Sequence, residues 1–79
     1  MRDKILQILN DIEEDIVLYE GENLFDDGII DSFTIVEILS EINDKLGINI
    51  SPDDVKEANF KTVDKIICFI ESINYGNNI

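Results

Sequence analysis

The sequence predicts an all-α domain of three main helices and one short helix, and three observations carry that prediction. Apolar residues recur at three-and-four spacing in three separate stretches. Cap and stop residues sit at the ends of those stretches. Strand alternation occurs only at Gly47-Ile48-Asn49-Ile50, with no second strand to pair with it.

Ile5, Ile8, Leu9, Ile12 and Ile16 share one face of a first helix over about 3–16, with Asp3 available as its N-cap. From Tyr19 to Asp31 the periodicity fails. Gly21 and Gly28 punctuate this stretch, while Leu24, Phe25, Ile29 and Ile30 can anchor it to a core. A long ordered loop in so small a domain is usually functional. The second main helix opens at Ser32, where Ser32 and Asp31 are both good caps, and stops at Gly47. Ser51-Pro52-Asp53-Asp54 starts a short helix to about Ala58, with a serine cap, proline at the first position and acids at the positive dipole end. Thr62 caps the last helix, whose face is Val63, Ile66, Ile67 and Ile70 and whose stop is Gly76. Residues 1–79 make a single domain, with 76–79 expected to fray.

A chain of 79 residues buries only about 60% of the surface its unfolded form exposes, too little to enclose a deep catalytic cleft. Histidine is absent, Cys68 is the only cysteine, and no glycine-rich phosphate loop occurs. Acid–base and nucleophilic catalysis therefore have few candidates, zinc has no ligand set, and the chain reads as a non-enzyme. Asp26-Asp27-Gly28 suggests a calcium loop, but an EF-hand register would put Phe25 third and Thr34 at the closing glutamate, so that pattern fails. No metal is expected. Eighteen acids against six bases give a formal charge of −12, which repels nucleic acid and anionic lipid and favours basic protein partners. The longest apolar run, Ile66–Ile70, is far short of the ~20 residues of a membrane span. The start, Met1-Arg2-Asp3-Lys4, lacks the apolar segment of a signal peptide, which makes the cytoplasm the expected location and the Asn49-Ile50-Ser51 sequon meaningless.

The second main helix carries more apolar surface than a core needs. At about 100° per residue, Ile35, Ile38, Leu39, Ile42 and Leu46 fill roughly a third of its circumference. Phe33 and Val36 fall outside that sector, beside an acidic ridge of Glu37, Glu41 and Asp44. The Glu37–Glu41 pair repels by about as much as Glu41–Lys45 attracts, ~0.2–0.5 kcal/mol, so the ridge gains the helix nothing. This is the composition of a docking face, although Phe33 folding back onto Phe25 or Ile30 is the competing structural reading. Ser32 likewise has two readings. It is either a plain cap or the site of an anionic adduct, since free N–H groups and the dipole at a helix start favour an anion by ~0.3–1 kcal/mol.

The stretch Leu24-Phe25-Asp26-Asp27-Gly28-Ile29-Ile30-Asp31-Ser32-Phe33 resembles the phosphopantetheine attachment region of acyl carrier proteins. The resemblance continues through Val36-Glu37-Ile38-Leu39, Leu46-Gly47-Ile48, Asn59-Phe60 and Thr62-Val63, covering nearly the whole chain. It implies an acyl-carrier-like four-helix bundle in which Ser32 bears a 4′-phosphopantetheine arm drawn from coenzyme A and Asp31 assists the modification. It also implies that acyl or aminoacyl cargo rides on the arm as a thioester, so Cys68 is not the working thiol. Phe33, Val36, Glu37 and Glu41 match the positions that meet partner enzymes. Those partners are a phosphopantetheinyl transferase, a loading enzyme and downstream transferases with basic docking patches, and the carrier is expected to be a monomer. Fatty-acid carriers usually have an acid at the position of Thr34 and a methionine at that of Ser40. Asp31-Ser32-Phe33-Thr34 with the Leu24–Gly28 lead-in is closer to specialised stand-alone carriers, among them the D-alanyl carriers of teichoic acid modification. Those commonly have methionine where this chain has Phe33, and a less acidic second helix. A helical adaptor without a prosthetic group would keep the acidic face but have no use for Ser32.

Overall fold

The computed structural model describes residues 2–77 and, for side chains, residues 2–74. Its elements are α1 (Arg2–Ile12), α2 (Glu14–Leu18), α3 (Ser32–Leu46), two 3₁₀ turns (Pro52–Asp54 and Glu57–Phe60) and α4 (Val63–Asn77). The bundle is all-helical among the described residues. Ile5, Ile8, Leu9, Ile16, Ile38, Leu39, Ile42, Ile66, Ile67 and Ile70 form one core with Leu24, Ile30, Ile48, Ile50 and Phe60.

The expected first helix is broken in two. Glu13 is extended (φ −158°, ψ 107°), and its carboxylate accepts from Asp15 N–H at 3.4 Å. Asp3 lies inside α1 rather than capping it. Dipoles explain the break. A continuous helix would carry Glu13, Glu14 and Asp15 at its negative end, with no base there. Restarting at Glu14 moves Glu14 and Asp15 to the positive end of α2. Ile16 is still fully buried, so the apolar period survives while the helix does not.

The short helix expected over 52–58 is also corrected. Ser51 caps as predicted, accepting from Asp53 N–H at 3.3 Å, but the segment forms two 3₁₀ turns parted by extended Val55. Val55 is half-buried against the core and Phe60 is completely buried. Five positions apart, they would point about 140° away from each other on a continuous α-helix. Breaking the segment lets both turn inward, and the Phe60 ring meets Phe69 of α4 edge-on at 5.7 Å. Gly47 ends α3 in the left-handed region (φ +68°), its N–H donating to the Asn43 carbonyl at 3.0 Å. Thr62 caps α4 through Lys65 N–H at 3.2 Å. That helix runs through Gly76 to Asn77, past the expected stop, and residues 78–79 of the expected tail lie outside the described residues.

Candidate functional site

The loop between α2 and α3 is ordered by its own side chains. Leu24 and Ile30 are buried, and Phe25 and Ile29 pack at the core edge, as the sequence predicts. Leu24 N–H donates to the Lys61 carbonyl at 2.8 Å, which ties the loop to the approach of α4. Asn23 Oδ1 accepts from the N–H groups of Phe25 (3.0 Å) and Asp26 (3.2 Å), and the turn closes at Gly28 with φ +73°. The Tyr19 phenol accepts from Asn23 N–H at 2.7 Å and donates to Asp27 Oδ2 at 2.5 Å. Desolvation, then the Asp27 bond, raises the Tyr19 pKa. Gly21 lies under the phenol, where a Cβ would come within 2.4 Å of the Tyr19 oxygen. The sequence reading missed this Tyr19–Asn23–Asp27 latch, which has no signature in hydrophobic period.

The latched loop delivers Asp31 and Ser32 to the start of α3. Here the structure decides between the two caps. Asp31 is the N-cap, with Oδ1 accepting from Thr34 N–H at 3.0 Å and from Thr34 Oγ1 at 3.1 Å. The Thr34 N–H and then its hydroxyl, with a lesser contribution from Phe33 N–H, hold the Asp31 carboxyl below its ordinary pKa. Ser32 is therefore relieved of capping. It stands exposed at the first helical position, and its Oγ makes no hydrogen bond among the described residues. Beside it runs a shallow groove of about 200 Å³ lined by Ser32, Ile35, Val36, Pro52 and Val55. A second groove, of about 370 Å³, shares Val36 and Pro52 and extends past Leu39, Ser40 and Asn43. Pro52 and Val55 join the site only because the 51–60 segment packs back onto α3, which the sequence pattern did not show.

Phe33 does not fold back onto the loop. It is 86% exposed, and Val36 is 56% exposed. Glu37 is exposed on the same side of α3. Glu41, one turn beyond Glu37, is half-buried and paired with Lys45 at 3.1 Å, while Lys45 also approaches Asp11 at 3.9 Å. Cys68 is an exposed free thiol on α4, in a groove with Asp64, Lys65, Phe69 and Ser72 and apart from the Ser32 grooves. No helix among the described residues is long and apolar enough to cross a membrane.

Ser32 is thus an exposed serine at the start of α3 whose hydroxyl is not committed to the cap. Residues 2–70 match the family described as "Phosphopantetheine attachment site". The chain is also similar to the D-alanyl carrier protein of Staphylococcus saprophyticus subsp. saprophyticus, 38% identical over 74 residues, which cover 91% of this chain and 95% of the relative. A second D-alanyl carrier protein, from Lactobacillus helveticus, is 34% identical over 70 residues, 87% of this chain and 89% of the relative. That of Staphylococcus xylosus is 35% identical over 74 residues, with coverage of 91% and 95%. The chain belongs to the phosphopantetheine attachment site family. It is a carrier protein with a covalent 4′-phosphopantetheine, served by a phosphopantetheinyl transferase and by loading enzymes.

Proposed function

We propose that Ser32 is the attachment serine, that Asp31 assists its modification, and that the cargo is an activated amino acid, with D-alanine first. One observation carries the site assignment. Among the described residues Ser32 alone combines an exposed hydroxyl, the first position of a helix and a neighbouring carboxylate that already does the capping. The site also fits a phosphodiester chemically, because the N-terminal N–H groups of α3 favour an anion. When bound, the group supplies a thiol that holds cargo as a thioester. The chain itself exposes the hydroxyl, offers the Ser32–Val55 groove for the arm to lie against, and presents Phe33, Val36 and Glu37 to enzymes. Glu41 adds to that face once a partner's basic group competes with Lys45.

The D-alanyl assignment is supported by the names of the relatives and by Thr34 and Ser40, which replace the acid and thioether usual in fatty-acid carriers. In this reading residues 1–79 act as one carrier domain, monomeric and in the cytoplasm, without catalysis of their own. Incubated with coenzyme A, magnesium and a phosphopantetheinyl transferase, the wild type should gain one phosphopantetheinyl group and Ser32→Ala none. Labelling that persists in Ser32→Ala would overturn the site. The holo protein should accept D-alanine from an ATP-dependent ligase. Malonyl loading and chain extension in its place would return the chain to fatty-acid or polyketide service.

A further inference from the structure

We infer that Ser40, Asn43 and Asn49 form a polar seat for the cargo end of the prosthetic arm, one that favours an aminoacyl group over an alkyl one; the inference rests on the assignment of Ser32 as the attachment serine and deepens the cargo reading above. Ser32, Val36, Ser40 and Asn43 lie at i, i+4, i+8 and i+11, so they form one stripe along α3. The two grooves follow that stripe in succession and join where both are lined by Val36 and Pro52. The facing wall runs the other way in sequence, from Val55 in the groove beside Ser32, through Pro52, to Asn49 in the groove that reaches Asn43. The result is one track with an apolar start and a polar end. A long contact spans that end, Asn43 Nδ2 donating to Asn49 Oδ1 at 3.5 Å. Asn43 Oδ1, Asn49 Nδ2 and Ser40 Oγ make no hydrogen bond among the described residues, and all three residues are exposed.

Length and chemistry identify the occupant. Ser32 to Asn43 is about 16 Å along the axis of α3. The arm has about thirteen bonds from phosphorus to sulfur, or ~15 Å at the reach of an extended peptide backbone. Its groups come in the order of the track. A dimethyl-substituted carbon follows the phosphate, as Val36, Pro52 and Val55 follow Ser32, and two amides precede the thiol. Cargo on that thiol therefore reaches Ser40, Asn43 and Asn49. An aminoacyl group brings an ammonium donor, which Asn43 Oδ1 or Ser40 Oγ can accept from, and a carbonyl acceptor, which Asn49 Nδ2 can donate to. A few polar groups at the end of an apolar groove fix orientation and supply specificity. An alkyl group would cover the same amides without replacing their water. Leu39 and Ile50, only 5% and 6% exposed, offer it little apolar surface in return.

The test is heteronuclear NMR of the full chain, unmodified and carrying either of two arms. A phosphopantetheinyl transferase attaches the arms from hydrolysis-stable coenzyme A analogues that end in an amide-linked D-alanyl or octanoyl group. The D-alanyl arm should shift the side-chain amides of Asn43 and Asn49 and the backbone N–H of Ser40, three turns of helix away from Ser32. The octanoyl arm should shift them far less. Asn43→Ala with Asn49→Ala should lower the docked-to-free ratio of the D-alanyl arm about fivefold, the scale of one hydrogen bond. The wild-type comparison of the two arms needs no variant and stands even if the double substitution unfolds the chain. D-alanyl shifts confined to the neighbours of Ser32 overturn the inference and leave Ser32 in place. So does an octanoyl arm that perturbs Asn43 and Asn49 equally, or a folded double variant that holds the D-alanyl arm as well as wild type does. A wild type that takes neither arm, or a Ser32→Ala that takes one, overturns the Ser32 assignment itself, and the inference with it.

Discussion

Replacing Phe33 and Ile42 by alanine, one at a time, separates the proposed docking face of α3 from its core face. Ile42 has no solvent exposure. Truncating a completely buried isoleucine to alanine costs about 2–5 kcal/mol, the transfer free energy plus the cavity left behind. A domain of this length has roughly 4–12 kcal/mol of stability in total, so that loss is a large share of it. At about 4–8 °C per kcal/mol, the melting temperature should fall by at least about 8 °C. Phe33 is 86% exposed, so only about a seventh of its surface is covered. Full burial of a phenylalanine side chain contributes up to about 3 kcal/mol, which leaves Phe33 about 0.4 kcal/mol to lose. Alanine's higher helix propensity offsets most of that. Phe33→Ala should therefore melt within about 3 °C of wild type while losing about tenfold or more in turnover by a loading enzyme, the usual effect of removing an aromatic anchor from an interface. Far-UV circular dichroism melts and loading assays on the holo proteins measure both quantities. A Phe33→Ala melting temperature depressed as far as that of Ile42→Ala would place Phe33 in the core and end the docking argument.

Glu37→Lys with Glu41→Lys should weaken loading and its salt dependence while helical content is retained, since what Glu41 forfeits is a partly exposed i,i+4 pair with Lys45, which it replaces by a mild like-charge repulsion at the surface. Gly47→Ala forces a side chain into φ +68° and should cost about 1–2 kcal/mol, read as a drop in melting temperature. Tyr19→Phe removes the phenol that joins Asn23 to Asp27, and amide hydrogen exchange at Asn23 should quicken while α4 is unchanged. Asp31 has a lowered pKa in the fold, so its cap contributes stability above the ordinary carboxylate value and loses it as pH falls through the lower folded value. Asp31→Asn should accordingly be less stable than wild type at neutral pH, and the gap should narrow in acid melts below about pH 4.

The parts of the fold legible in the sequence are those fixed by local chemistry. Gly47, Ser51 and Thr62 act where their side chains, or the lack of one, predict. The core faces of α3 and α4 follow from spacing alone. The misreadings share a cause. At Glu13 a periodic apolar pattern continues across a backbone break, and at Val55 a helix-start signal leads into a break that lets Val55 and Phe60 both reach the core. What must reach the core is a side chain and not a helix. Ile16 and Phe60 arrive there by separate routes. The choice between Asp31 and Ser32 as cap was equally invisible, since either residue satisfies the same donors.

That choice of cap links structure to function. Every fully buried side chain among the described residues is apolar, and the polar contribution at the start of α3 comes from Asp31 and not from Ser32. Had Ser32 been the cap, its hydroxyl would be committed to a backbone N–H, and modification would remove an interaction typically worth about 1 kcal/mol. With Asp31 as cap, α3 keeps the same N-terminal hydrogen bonds whether Ser32 is free or bears a phosphodiester. The anion then adds a favourable interaction with the helix start instead of displacing one. A carrier that must be recognised before modification by one enzyme and afterwards by others needs the same docking face in both states. If Ser32 is the attachment point, as proposed, placing the capping role one residue upstream of it provides that constancy.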